Sequence, residues 1–356
     1  MKKTKFLASL LCVVCLLSSI LVLNSCQKGT RGLSYTLNSD GTSYSVSGYT
    51  GKKHNVEIPE SYKGLPVTSI SEEAFKGNTV IETVIVPNSV TVINDEAFAG
   101  CTALKSADLP DTLTSLGYGC FQNCNALTEL KIPEGIKKLP MALFENCSSL
   151  ETVAFPSTLE TISPMLFKGC YSLSTLTVAT GNTLYHSKDN CIIETATKSL
   201  VLGAGDSVIP SDGSVVAIAE NAFLDMHALA TLTIPEAVKT IGSGAFSNCK
   251  NLRFARIDGA TEIGDSAFSS CSNMRYVTIP KELTTVGNYV FSGCLILQKV
   301  YYESTSADFN RLASSSSVFS LPANSTVFFF SAEKPETNGN FWYYGSDNTI
   351  STWTFE

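Results

Sequence analysis

The chain is poor in the residues that do chemistry. It has three histidines, His54, His186 and His227, far apart in sequence, and no Cys-x-x-Cys pair after Cys26, so no metal-ligand spacing is present. H-E-x-x-H, G-x-S-x-G, a Walker A loop and the dinucleotide glycine fingerprint are also missing. Carboxylates are scattered over turn positions such as Glu72-Glu73 and Asp95-Glu96, and no acid and base pair stands out among them. These absences argue against an enzyme and give no reason to expect a catalytic residue, a metal or a cofactor. Positive charge is scarce as well. Lys and Arg number 25 against 32 Asp and Glu, which disfavours nucleic acid as a partner.

What the chain has instead is a period. Phe75, Phe98, Phe121, Phe144 and Phe167 recur every 23 residues, and after a gap of 56 the beat resumes at Phe223, Phe246, Phe268 and Phe291. A fixed period in this range marks stacked coils, each unable to bury its apolar face alone. Three residues after Phe comes Cys in seven coils, with Asn78 and Met226 as exceptions; six after comes Leu, Ile or Met; twelve after comes Pro in six. Leu150-x-x-Val153-x-Phe155-Pro156 alternates apolar and polar residues up to a proline, which cannot donate to a ladder, so each coil is expected to hold one short strand. The stretch leading into Phe, such as Ile93 to Phe98, opens with acidic residues and suits a brief helical turn.

The unit at 90–110, VTVINDEAFAGCTALKSADLP, resembles the BspA-like leucine-rich repeats of bacterial surface proteins, and the likeness runs over about 56–303. It implies a repeat solenoid of leucine-rich-repeat type, mostly β, with a parallel strand and a helical turn per coil. Ala179, Asp258 and Glu303 depart from the Pro column, and the step into Phe268 is 22 residues. Residues 33–55 read as an N-terminal cap, a hairpin around Asn38-Ser39-Asp40-Gly41. Residues 304–356, with Val327 to Phe330 and Phe341 to Tyr344, read as a C-terminal cap, with a ligand platform as the other reading. Within the 56-residue gap, about 180–208 reads as a projecting hairpin.

Lys2, Lys3 and Lys5 precede the apolar run Phe6 to Leu23, the order of a signal peptide over 1–25. Leu23-Asn24-Ser25-Cys26 resembles a bacterial lipobox, although Asn24 is unusual there. The resemblance implies lipidation of Cys26, a tether over 26–32, and a cell-envelope lipoprotein held to the outer membrane, its exposure at the cell surface left open. Loss of the leader removes three lysines and brings the formal net charge from −7 to about −10. Of twelve cysteines, nine would then remain besides Cys26, seven of them in one column. Equivalent side chains on successive coils point the same way, whereas a disulfide needs converging Cβ vectors, so these read as small buried hydrophobes.

Strand side chains eight and ten residues after Phe face away from the core in two columns. They are plain through most coils and change in the last three: Phe254, Tyr276 and Lys299 in one, Arg256, Thr278 and Tyr301 in the other, with Arg253 and Arg275 just outside. Aromatics and arginines carry interface energy, so these eight are the candidate ligand-binding residues; a stiffening cross-strand ladder is the competing reading. The resemblance implies a non-enzymatic adhesion or protein-recognition module that binds host extracellular matrix or a partner cell surface. The alternative is a glycan- or peptide-capturing lipoprotein for nutrient uptake, with sugar rings stacked on the aromatic patch.

Overall fold

The computed structural model describes residues 29–314 and 317–354, so the segment 1–25 expected to be a signal peptide and Cys26 lie outside the described residues. Among the described residues no helix is long and apolar enough to cross a membrane. The chain winds into a β-solenoid whose core is one continuous cluster of the column residues.

On the front of the stack each coil contributes the expected strand, as in Thr83–Ile85, Thr152–Phe155 and Thr231–Ile234, paired in parallel with its neighbours. Register follows the period. Thr152 pairs with Thr175, and Phe254 pairs with Tyr276, the shorter offset reproducing the 22-residue step. Each column Pro ends its strand by starting a turn, as where the Val90 N–H donates to the Pro87 carbonyl at 3.0 Å.

A second sheet, not anticipated from the sequence, lines the back. It is built mostly from two-residue strands such as Val92–Ile93, Lys138–Leu139 and Glu262–Ile263, too short to show a period of two. The helical turn at Phe takes the form of consecutive tight turns, with Ala99 N–H on the Glu96 carbonyl and Cys101 N–H on the Phe98 carbonyl, both at 3.0 Å. The residues two before and two after each Phe are left-handed, from Glu73 (φ 57°) and Gly77 (φ 70°) to Tyr289 (φ 60°) and Gly293 (φ 75°). This orients alternate N–H groups to the next coil: Glu73, Phe75 and Gly77 donate to Asp95, Ala97 and Ala99 carbonyls at 3.1, 2.8 and 2.7 Å.

Inside, the Phe rings stack. Centroids from Phe75 to Phe167 are 4.8 to 6.2 Å apart with planes within 14°. The column cysteines do more than fill space. Each of the seven thiols donates to the carbonyl of the Phe one coil back, at 3.0 to 3.2 Å. Burial pushes Cys101 and Cys147 up to about 12, so these two thiols stay protonated and able to donate. All nine described cysteines are free.

Two regions depart from the period. The insertion does not project: Tyr185–Lys188, Cys191–Glu194 and Ser199–Gly203 form an antiparallel meander, with Cys191, Ile193 and Leu200 fully buried, and its last strand joins the back sheet beside Ala217–Ile218. Gly203 sits where a Cβ would meet the Phe223 ring at 1.9 Å, so backbone covers that ring. Across the resulting seam, buried Asp225 accepts the Gly169 N–H at 2.9 Å and His227 stacks on Tyr171 at 4.1 Å. At the C-terminus a short helix, Ser306–Leu312, leads to Phe319, which stacks on Phe291 at 6.3 Å and adds one more coil. Thr326–Phe330, Phe341–Tyr344 and Ile350–Thr352 then extend the front sheet. At the other end Leu33–Leu37 and Tyr44–Tyr49 form an antiparallel pair, and the latter runs alongside Leu65–Ile70.

Candidate functional site

Six of the eight candidate residues fall on three adjacent front strands, Phe254–Ile257, Tyr276–Ile279 and Lys299–Tyr302, Arg253 and Arg275 immediately precede the first two, and the tail strands divide the set into two groups. Thr278 and Tyr301 stand on the outer face, as alternation predicts, but are covered there rather than exposed. Thr278 is 1% exposed, its hydroxyl accepting the Ile257 N–H at 3.2 Å, and Tyr301 is 6% exposed, packed on Phe328 at 5.4 Å and Trp342 at 5.6 Å. Burial pushes the Tyr301 phenol up. The tail folds over this column, and Trp342 is fully buried with its Nε1–H on the Tyr302 carbonyl at 3.0 Å.

Arg256 is engaged within the protein. Its Nε donates to Asp258 Oδ1 at 2.6 Å and its guanidinium lies 5.6 Å from the Tyr344 ring centroid. The Asp258 bond raises the guanidinium further. Tyr344 in turn donates its hydroxyl to Glu303, whose carboxyl desolvation raises and this bond lowers, the former prevailing. Arg256, Asp258, Tyr344 and Glu303 thus form a strut between the sheet and the tail.

Exposed residues remain beside it. Phe254 is half-buried and Tyr276 exposed, ring centroids 4.7 Å apart and planes at 36°. Arg275 donates its N–H to the Arg253 carbonyl at 2.9 Å, so the two occupy neighbouring rungs, and both side chains are exposed without an ion-pair partner among the described residues. Lys299, exposed one rung on, lies 5.8 Å from the Phe328 centroid. Between this face and the turn at 345–350 opens a cleft of about 370 Å³, lined by Phe254, Arg256, Tyr276, Tyr344, Asn348 and Ile350 among others. Sequence reasoning missed Tyr344 and Asn348 to Ile350 as walls of this cleft; the aromatic run Phe341 to Tyr344 was the available signal.

Elsewhere the same face is plainer. A groove of about 570 Å³ on the N-terminal coils is lined by Glu57, Glu60, Asp108, Pro87 and exposed Ile85. Among the described residues no three His, Cys, Asp or Glu gather as metal ligands.

A family profile described as BspA type leucine rich repeat region matches residues 68–192 and 206–318, in six copies. No curated protein matches the chain. Among solved structures it is similar to a leucine-rich repeat protein from Eubacterium ventriosum ATCC 27560, at 19% identity over 90% of this chain and 97% of the other, with a TM-score of 0.52. It is also similar to the pneumococcal vaccine antigen PcpA, at 17% identity over 85% and 93% with a TM-score of 0.56. A leucine rich cell surface protein from Faecalibacterium prausnitzii A2-165 shares 22% identity over 83% and 100%, with a TM-score of 0.46. At these identities the likeness is one of fold.

Proposed function

The chain belongs to the BspA-type leucine-rich repeat family, and from that membership we propose that it is a non-enzymatic cell-envelope adhesion module. It recognises host extracellular matrix or a partner cell surface through the exposed residues of the coils anchored by Phe246, Phe268 and Phe291, and a lipid on Cys26 holds it to the outer membrane. The observation that carries this reading is where the decoration lies. On an acidic molecule with a plain front face, Arg253, Phe254, Arg275, Tyr276 and Lys299 gather on three consecutive rungs beside a cleft. Arg256, Thr278 and Tyr301 line the cleft itself.

Adhesion of intact cells to immobilised matrix proteins tests the reading in one assay. Replacing Arg253, Tyr276 and Lys299 together by Ser should lower adhesion at least about tenfold at unchanged surface amount, with a melting temperature within about 2 °C of the parent, as expected for exposed substitutions. Cys26→Ser should abolish adhesion by releasing the protein into the medium or periplasm. Full adhesion by the triple variant would rule this face out.

A further inference from the structure

We infer that the exposed edge of the coils anchored by Phe246, Phe268 and Phe291 receives an acidic peptide segment of a protein partner, with Arg253, Arg275 and Lys299 taking its carboxylates. This rests on the recognition reading above and narrows it to one partner chemistry.

The first support is the pattern of ion pairs. Elsewhere along the stack three lysines pair from rung to rung: Lys105 reaches Glu82 at 2.6 Å, Lys137 reaches Glu160 at 2.8 Å and Lys168 reaches Glu145 at 2.7 Å. Arg253 and Arg275 stand side by side with no carboxylate, on rungs roughly 4.8 Å apart, and Lys299 follows with only a ring beneath it. Like charges at that spacing repel, and among the described residues no carboxylate is set against either arginine. An anionic ligand relieves the repulsion.

The second support is how the rings are set. Phe254 and Tyr276 pack with centroids 4.7 Å apart and planes at 36°, each covering one face of the other, and Tyr276 also meets Tyr301 edge to face at 6.4 Å. A ring edge is electropositive and its face electronegative. A sugar ring stacks on an open aromatic face, which this pair lacks between its members, whereas edges beside two arginines and a lysine suit carboxylates. The third support is size. The cleft of about 370 Å³ lined by Phe254, Tyr276 and the turn at Asn348 to Ile350 admits a few residues of chain, not a folded domain, and Arg253, Arg275 and Lys299 stand outside its lining, next in sequence or one rung from Phe254 and Tyr276. In an extended peptide alternate side chains lie roughly 6.7 Å apart on one side, within the reach of two long arginine side chains on neighbouring rungs. The ligand is therefore an extended segment with acidic residues at alternate positions.

The test is fluorescence anisotropy of the purified protein with a labelled peptide of alternating Glu and Gly, its Gln counterpart, and chondroitin sulfate as competitor. Saturable binding of the Glu peptide, at least about tenfold weaker for the Gln peptide and weakened by salt as screening requires, is the expected result. Arg253→Ser with Arg275→Ser should lower affinity at least about tenfold and leave the melting temperature unchanged or higher, while Lys52→Ser with Lys63→Ser changes nothing. Equal affinity for the Glu and Gln peptides overturns the inference, as does full binding by the double arginine variant. Binding of chondroitin sulfate with none of the Glu peptide also overturns it, in favour of a polysaccharide. If the triple variant loses cell adhesion but the Glu peptide never binds, the acidic chemistry alone falls and the recognition reading stands.

Discussion

Seven cysteines in one column read from the sequence as small buried hydrophobes, and each thiol is indeed buried and free, but it is also spent on the Phe carbonyl one coil back. Cysteine suits the position because it is a small hydrophobe that also carries a weak donor. Cys147→Ala leaves the Phe121 carbonyl without its thiol partner, and should cost about 1–3 kcal/mol in urea unfolding, while Cys147→Ser should recover part of the loss. In the native protein all nine described cysteines should resist alkylation and react only on unfolding, a contrast that mass spectrometry of labelled peptides reads directly. That these residues are buried was legible from their column; that they are donors was not, because the acceptor lies 26 positions back.

At the scale of the element, two kinds of left-handed residue flank every Phe. Two positions after Phe the sequence advertises the conformation, with Gly77, Gly100, Asn123 and Asn146 all at positive φ. Two positions before, it is hidden behind Glu73, Ala142, Met165 and Tyr289, of which Glu73 and Tyr289 donate their N–H groups to the next coil. Met165 is exposed and bears φ 58° without need of its side chain for packing. Met165→Gly should therefore raise stability by up to about 1 kcal/mol, whereas Gly100→Ala should lower it by a similar amount; chemical denaturation of the pair measures both. The candidate site was only half legible for a related reason. Alternation along a strand assigns Tyr301 and Thr278 to the outer face correctly, but cannot reveal that Phe328 and Trp342, far along the chain, cover that face.

Over the whole molecule, stability passes from coil to coil, and the seam at the insertion is where that transmission changes hands. On one side Phe167 ends a run of stacked rings and on the other Phe223 is covered by Gly203 backbone, so Asp225, Tyr171 and His227 carry part of the coupling. In a nearest-neighbour solenoid a weakened interface splits unfolding into two stages. Asp225→Ala should weaken the seam by about 1–3 kcal/mol, broaden or divide the thermal transition, and accelerate hydrogen exchange at the Gly169 amide. His227 adds a pH dependence. Burial first, and Lys250 second, hold its imidazole below the ordinary 6.5, so unfolding takes up a proton between the two values. Stability is then full above pH 6.5 and declines as pH falls toward the folded value; His227→Phe, which keeps the stack on Tyr171, should flatten that decline in melting temperature.

The 23-residue beat by itself determined the architecture, because each column repeats in phase and buried side chains have no other way to be covered than by the next coil. It determined the front strands and their register, down to the 22-residue step carried into the pairing of Phe254 with Tyr276. Only the tertiary structure decided which decorated residues face solvent. That depends on contacts between segments with no fixed spacing: the meander that fills a coil's place instead of projecting, and the tail that buries Tyr301 while leaving Arg253, Arg275 and Tyr276 open. Period is a local property and survives in the sequence; coverage is a long-range one, set by how the ends and the insertion fold back on the stack.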